Sequence, residues 1–166
     1  CAPATVSMML ASRGKIVDQF TLAREMGTYE PFGTHNRDAI RILNKHMFGY
    51  EFPQTNQAGY RIETVREINS ASIELFKQRL IKNTQDGYPM YYTFNPGKIY
   101  PGIANAEHNV AGAGYIATPD NKDVALVYYV DPYYKFQDPI YGGLKVVTPE
   151  ELLNAMVGVS EPDYAW

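Results

Sequence analysis

One thiol, one imidazole and one carboxylate carry the chemistry that this sequence could do. Cys1 is the sole cysteine of the chain. It precedes Ala2-Pro3-Ala4-Thr5-Val6, where Pro3 suits the first turn of a helix. Val6, Met9 and Leu10 repeat at the i, i+3, i+4 spacing of a buried face, and Gly14 is a stop. A thiol at that place lies at the positive end of a helix, which favours the thiolate. A single cysteine excludes an internal disulfide and a cysteine-based metal site. It leaves three roles: a buried apolar residue, a lipid attachment point or a nucleophile.

The groups that would activate a nucleophile lie in the second half. His108 opens a strand in Glu107-His108-Asn109-Val110-Ala111, shortly after the punctuated segment Asn95-Pro96-Gly97-Lys98-Ile99-Tyr100-Pro101-Gly102. Long ordered loops at strand ends are where binding sites concentrate. Asp131 ends the apolar run Val124–Val130 and precedes Pro132, so it reads as a turn residue or as the partner of an imidazole. Strands Val110–Ile116 and Val124–Val130, joined by Thr118-Pro119-Asp120-Asn121, would pair as a hairpin. Antiparallel pairing brings the start of the first beside the end of the second, and so His108 beside Asp131. The imidazole would take the thiol proton and the thiolate would attack a carbonyl carbon. His108 would then protonate the leaving amine while Asp131 holds its tautomer. His46, in the last turn of a helix, reads as structural, and His35, in a polar loop, as solvent-facing.

The elements that must position these groups are readable in outline. Asp18 caps a helix over Gln19–Met26 that Gly27 ends, and Thr34 or Asn36 caps another over Arg37–Met47 with Gly49 beyond. Tyr50–Ile68 shows no sustained period and reads as irregular with one short strand. A fourth helix spans about 73–82, closed by Asp86-Gly87. Strands follow at Met90–Phe94, Val110–Ile116, Val124–Val130 and Lys145–Val147, the third apolar enough to be buried on both faces. Thr148-Pro149-Glu150-Glu151 is a capping box that starts a last helix. Helices first and strands second is an α+β order without βαβ alternation.

Composition narrows the class. The 166 residues fit one compact domain spanning 1–166. A net charge of −3 argues against a nucleic-acid surface. No apolar run approaches the ~20 residues of a membrane span. Neither paired metal-ligand spacing nor a glycine-rich phosphate loop is present, so no metal or cofactor is expected. Tyrosine is abundant, 14 residues, and the pairs Tyr91-Tyr92, Tyr128-Tyr129 and Tyr133-Tyr134 would each place one member in the core.

Three segments together resemble a known family: Cys1-Ala2-Pro3-Ala4 with its helix, His108–Tyr115, and Val130-Asp131-Pro132, followed by Val147–Leu152 as a strand entering a capped helix. Their order and spacing are similar to the papain-like cysteine peptidases, most closely the branch with the bacteriocin-processing, double-glycine-leader peptidases and their secreted stand-alone relatives. The resemblance implies a papain-like α+β fold, with Cys1 as nucleophile, His108 as base and Asp131 as its orienter. It also implies a peptide or protein substrate, a bacterial source and an extracellular location. The family usually has glycine where this chain has Ala2. It also places an oxyanion-hole glutamine a few residues before the nucleophile, whereas the sequence as written starts on Cys1. The expectation is a trimmed or processed start; an impaired peptidase, or a terminal amine that takes part, are the alternatives.

Other classes compete. The fold could serve as a binding or self-assembly module with a vestigial triad and a tyrosine-rich surface, which leaves a homo-oligomer open. A lipoprotein would follow its cysteine with a flexible tether, whereas a helix starts here at once. An N-terminal-nucleophile hydrolase would open on a strand. Within the peptidase reading, the segment Asn95–Glu107 is expected to wall the substrate groove.

Overall fold

Two hydrophobic cores lie on opposite faces of a single antiparallel sheet. The computed structural model describes residues 1–166. In chain order the elements are α1 (Ala2–Ser12), α2 (Gln19–Met26), α3 (Asn36–Phe48), β1 (Ile62–Thr64), α4 (Ser70–Asp86) and β2 (Met90–Phe94). They continue with β3 (His108–Ala117), β4 (Val124–Val130), β5 (Leu144–Val147), α5 (Pro149–Met156) and β6 (Asp163–Ala165). The six strands run β1-β6-β2-β3-β4-β5, every neighbour antiparallel. The fold is α+β.

Successive strand residues point to opposite faces, and the two cores divide along that alternation. Tyr91, Ala111 and Ala165 join α1, α2 and α3 in one core. Met90, Tyr92, Phe94, Val110, Tyr129 and Tyr164 join α4 and α5 in the other. Val6, Met9 and Leu10 are fully enclosed, as their spacing predicts. Truncating one such residue, Leu10→Ala, costs about 2–5 kcal/mol, so α1 is held firmly against the sheet.

Two caps match the sequence. Asp18 accepts from the backbone N–H groups of Phe20 and Thr21. Thr148 and Glu151 form a reciprocal capping box on α5. Other elements depart from expectation. His35, rather than Thr34 or Asn36, is the N-cap of α3, and its side chain makes no capping bond. The carboxylate of Glu161, distant in sequence, accepts from the Asn36 N–H at 2.8 Å instead. Its other oxygen lies 2.7 Å from His35 Nδ1, so His35 is tethered rather than simply solvent-facing. His46 pairs with Glu25 at 2.8 Å, a structural role. Helix α4 begins earlier than the apolar spacing indicates because Asn69 and Ser72 make a second capping box.

Strand β4 is interior to the sheet but not buried on both faces. Val127 and Tyr129 are enclosed, whereas Leu126 and Tyr128 are only partly covered, because α1–α3 reach no β4 residue in their core. Tyr91 and Tyr92 are both fully buried, against the expectation of one core member per pair. Strand β6 was not anticipated; three residues after Pro162 are too few to show a period. No helix is long and apolar enough to cross a membrane.

Candidate active site

The β3–β4 hairpin forms as its sequence dictates, with Ala111 opposite Val130 and Gly112 opposite Tyr129. Its open end places His108 at the start of one strand and Asp131 just past the end of the other. Phe94 is opposite His108 on β2, and with Val110 and Tyr129 these side chains face the α4/α5 core. Cys1 arrives from the other layer. It is the N-cap of α1, its carbonyl accepts from the Thr5 N–H at 2.9 Å, and its side chain makes no capping bond. Thr5 Oγ1 donates to the Asn109 carbonyl at 3.0 Å, which ties the start of α1 to the start of β3.

The three predicted residues meet. His108 Nδ1 lies 3.1 Å from Cys1 Sγ, and His108 Nε2 lies 2.7 Å from Asp131 Oδ1. A carboxylate can only accept, so Nε2 carries the proton in that bond and Nδ1 faces the sulfur. Asp131 is wholly buried and His108 is 4 % exposed, while Cys1 is exposed. An imidazole so placed can take a thiol proton, and the helix N-terminus favours the thiolate that results.

Asp131 is more elaborately held than the sequence indicated. Oδ1 also accepts from the Tyr133 backbone N–H at 2.9 Å, and Oδ2 accepts from the Tyr100 hydroxyl at 2.7 Å. The bond to Tyr133 two residues on is the turn-type bond of an Asp before Pro, so the turn reading and the partner reading both describe this residue. Burial acts to raise the Asp131 pKa, but the bonds from His108, Tyr100 and the Tyr133 N–H outweigh it and hold the carboxyl below its usual range. The Asp131 N–H donates to the Gly143 carbonyl at 2.8 Å, and a Cβ on Gly143 would collide with the Asp131 carbonyl. Phe94 and Phe136 stand nearly perpendicular to the His108 ring, at 5.9 and 5.6 Å between centroids.

A cleft of about 450 Å³ opens beside the sulfur, lined by Pro3, Phe32, Thr34, Glu107, Asn109 and Ser160 among others. Its outer wall is the segment between α2 and α3. Of Asn95–Glu107, expected to wall the groove, only Glu107 lines this cleft; Tyr100 instead turns inward to Asp131. Asn95 closes that segment on itself, accepting from the N–H groups of Gly97 and Ala106. A separate cavity of about 240 Å³ among Phe48, Tyr60, Tyr88 and Trp166 contains none of the three residues. No group of three or more His, Cys, Asp or Glu side chains could hold a metal ion.

Sequence reasoning missed Tyr100, Tyr133, Phe136 and Gly143. The only local signal was Asp131-Pro132-Tyr133, whose Asx-turn pattern foretells a bond to the Tyr133 N–H.

No curated protein matches the sequence. The crystal structure of a "putative C39-like peptidase" from Bacillus anthracis superposes with a TM-score of 0.60 at 17% identity, covering 99% of this chain and 86% of the other. At that identity the likeness is one of fold. Two variants of the Salmonella effector SpvD align at TM-scores of 0.34, with 15% and 16% identity, over 75% of this chain and 55% and 50% of theirs. The family description "Peptidase_C39 like family" matches residues 1–150, which takes in Cys1, His108 and Asp131. The chain therefore belongs to the Peptidase_C39-like family of cysteine peptidases.

Proposed function

We propose that this protein hydrolyses peptide bonds through an acyl-enzyme formed on Cys1, with His108 as base and then acid and Asp131 as orienter. The observation that carries the reading is the unbroken line from Cys1 Sγ to His108 Nδ1, and from His108 Nε2 to Asp131 Oδ1. In the first half-reaction His108 takes the thiol proton and the sulfur adds to the carbonyl carbon. The C–N bond then breaks, and the imidazolium gives its proton to the departing amine. Water, deprotonated by the same imidazole, attacks the thioester and releases the acid with the free thiol. Asp131 stabilises the imidazolium without taking its proton.

Iodoacetamide tests this directly. Cys1 is expected to alkylate at neutral pH faster than a free model thiol and to lose peptide hydrolysis in step with modification; Cys1→Ala is expected to be inactive. A Cys1 that alkylates no faster than a model thiol sinks the reading. The exposed side chains of Tyr134, Ile140 and Tyr141, beyond β4, favour a second reading as an assembly surface. A monomer under native conditions that turns over substrate excludes assembly as the main role. Action outside the cell is proposed on the resemblance to secreted relatives alone.

A further inference from the structure

We infer that Tyr100, backed by Tyr129, is a positioning residue for the triad: it pins the second oxygen of Asp131 so that the first stays aimed at His108. The inference rests on the catalytic reading of Cys1, His108 and Asp131. Oδ1 of Asp131 is used twice, by His108 Nε2 and the Tyr133 N–H, whereas Oδ2 accepts from the Tyr100 hydroxyl, at 2.7 Å. The Tyr100 oxygen in turn lies 2.9 Å from the Tyr129 hydroxyl.

The carboxylate fixes the polarity of this chain. An ionised Asp131 cannot donate, so the Tyr100 proton is committed to Oδ2, and Tyr129 must donate to Tyr100. Two phenols thus point their dipoles in series at one wholly buried carboxylate. Burial, and for Tyr100 its bonds to Asp131 and Tyr129, push both phenols far above their ordinary range, so they remain neutral donors wherever the enzyme works. Their rings cannot swing away. Tyr100 packs on Phe136 at 4.6 Å between centroids, and Tyr129 makes an edge-type contact with Phe94 at 5.6 Å.

The titratable and charged groups facing Asp131 come from several elements. They are His108 at the start of β3 with Cys1 beyond it, Tyr100 before β3, Tyr129 on β4, Tyr133 after it, and Lys145 of β5, whose ammonium lies 5.8 Å from the Tyr100 ring centroid. Of these, Tyr100 alone donates to Oδ2, so removing its hydroxyl leaves that oxygen buried without a donor, and the ionised form becomes harder to keep.

The test is the titration of the Asp131 carboxyl carbon by NMR in the full chain, for the parent protein, Tyr100→Phe, Tyr129→Phe and the double variant. Tyr100→Phe is expected to raise the midpoint by about one pH unit. Tyr129→Phe is expected to raise it by less. The double variant is expected to match Tyr100→Phe alone, because Tyr129 reaches the carboxylate only through Tyr100. A packing role would leave the midpoint where it is, since phenylalanine keeps the ring. An unmoved midpoint in Tyr100→Phe, or a Tyr129→Phe effect that persists in the double variant, overturns the inference. Should Tyr100→Phe fail to fold, Tyr129→Phe decides alone: a raised midpoint supports the inference and an unchanged one overturns it. The titration needs no turnover. A parent protein without thiol-dependent hydrolysis would therefore sink the catalytic reading, while the midpoints still decide the role of Tyr100.

Discussion

Replacing Asp131 by asparagine separates the charge of this residue from its geometry, and the structure sets the size of the effect. In serine-peptidase triads the same replacement costs about 10⁴ in rate, because the amide turns its NH₂ toward the imidazole and traps the wrong tautomer. Here that turn is blocked. The Tyr133 backbone N–H, 2.9 Å from Oδ1, cannot reverse, so it demands an acceptor at that position. The asparagine oxygen therefore stays at Oδ1, facing both Tyr133 and His108, and the NH₂ falls toward Tyr100. A phenol can reverse, so Tyr100 accepts from the NH₂ and redirects its own proton to Tyr129. What is lost is the difference between a charge-assisted and a neutral hydrogen bond to His108, about 1–1.5 kcal/mol. That corresponds to roughly a tenfold fall in kcat/KM. Asp131→Ala, which leaves His108 free to turn, is expected to lose about 10²–10⁴. The assay is kcat/KM on a fluorogenic peptide from pH 4 to 10, with circular dichroism to confirm folding. A folded Asp131→Asn variant as inactive as Asp131→Ala would refute the argument from Tyr133. One with unchanged kcat/KM would refute the role of charge.

Two further outcomes follow from the same environment. The Asp131 carboxyl titrates below its usual range in the folded chain, so its contribution to stability is complete above the unfolded carboxyl pKa of ~3.9 and is lost as pH falls through the lower folded value. Urea midpoints at pH 3 and pH 6 should differ by less in Asp131→Asn than in the parent protein, and an equal difference would count against this assignment. Gly143→Ala forces a Cβ against the Asp131 carbonyl and is expected to cost about 1–3 kcal/mol of stability. Activity is expected to fall further than stability alone explains, as comparison of thermal midpoints with kcat/KM will show; a lowered midpoint with unchanged kcat/KM would speak against it.

The parts of this molecule that were legible in the sequence are those with local causes. Val6, Met9 and Leu10 announce the buried face of α1, the Thr148–Glu151 box announces α5, and the turn at Thr118–Asn121 announces the hairpin that brings His108 to Asp131. What stayed hidden depends on residues far apart. Glu161 serves α3 across 125 positions, and no pattern around Asn36 foretells it. Tyr100 meets Asp131 across 31 positions, and the run Ile99-Tyr100-Pro101 carries no period that says which way the ring points. The apolar composition of Val124–Val130 suggested burial on both faces, yet helix placement, which composition does not report, left one face of β4 half open.

The division of the cores gives the site a property that its three residues alone would not have. Cys1 belongs to the layer of α1–α3, and His108 and Asp131 to the layer of α4 and α5, so the 3.1 Å between sulfur and imidazole measures how the two layers mate across the end of β3. The Thr5–Asn109 bond and the packing of α1 on the sheet hold that gap from the side of Cys1. Slippage of the first layer would lengthen the distance from sulfur to imidazole while leaving the His108–Asp131 pair intact. The protein thus carries a caliper between its two halves. Anything that wedges α1 away from β3 would part the sulfur from the imidazole, and Pro3 and Asn109 on the two sides of that seam both line the cleft.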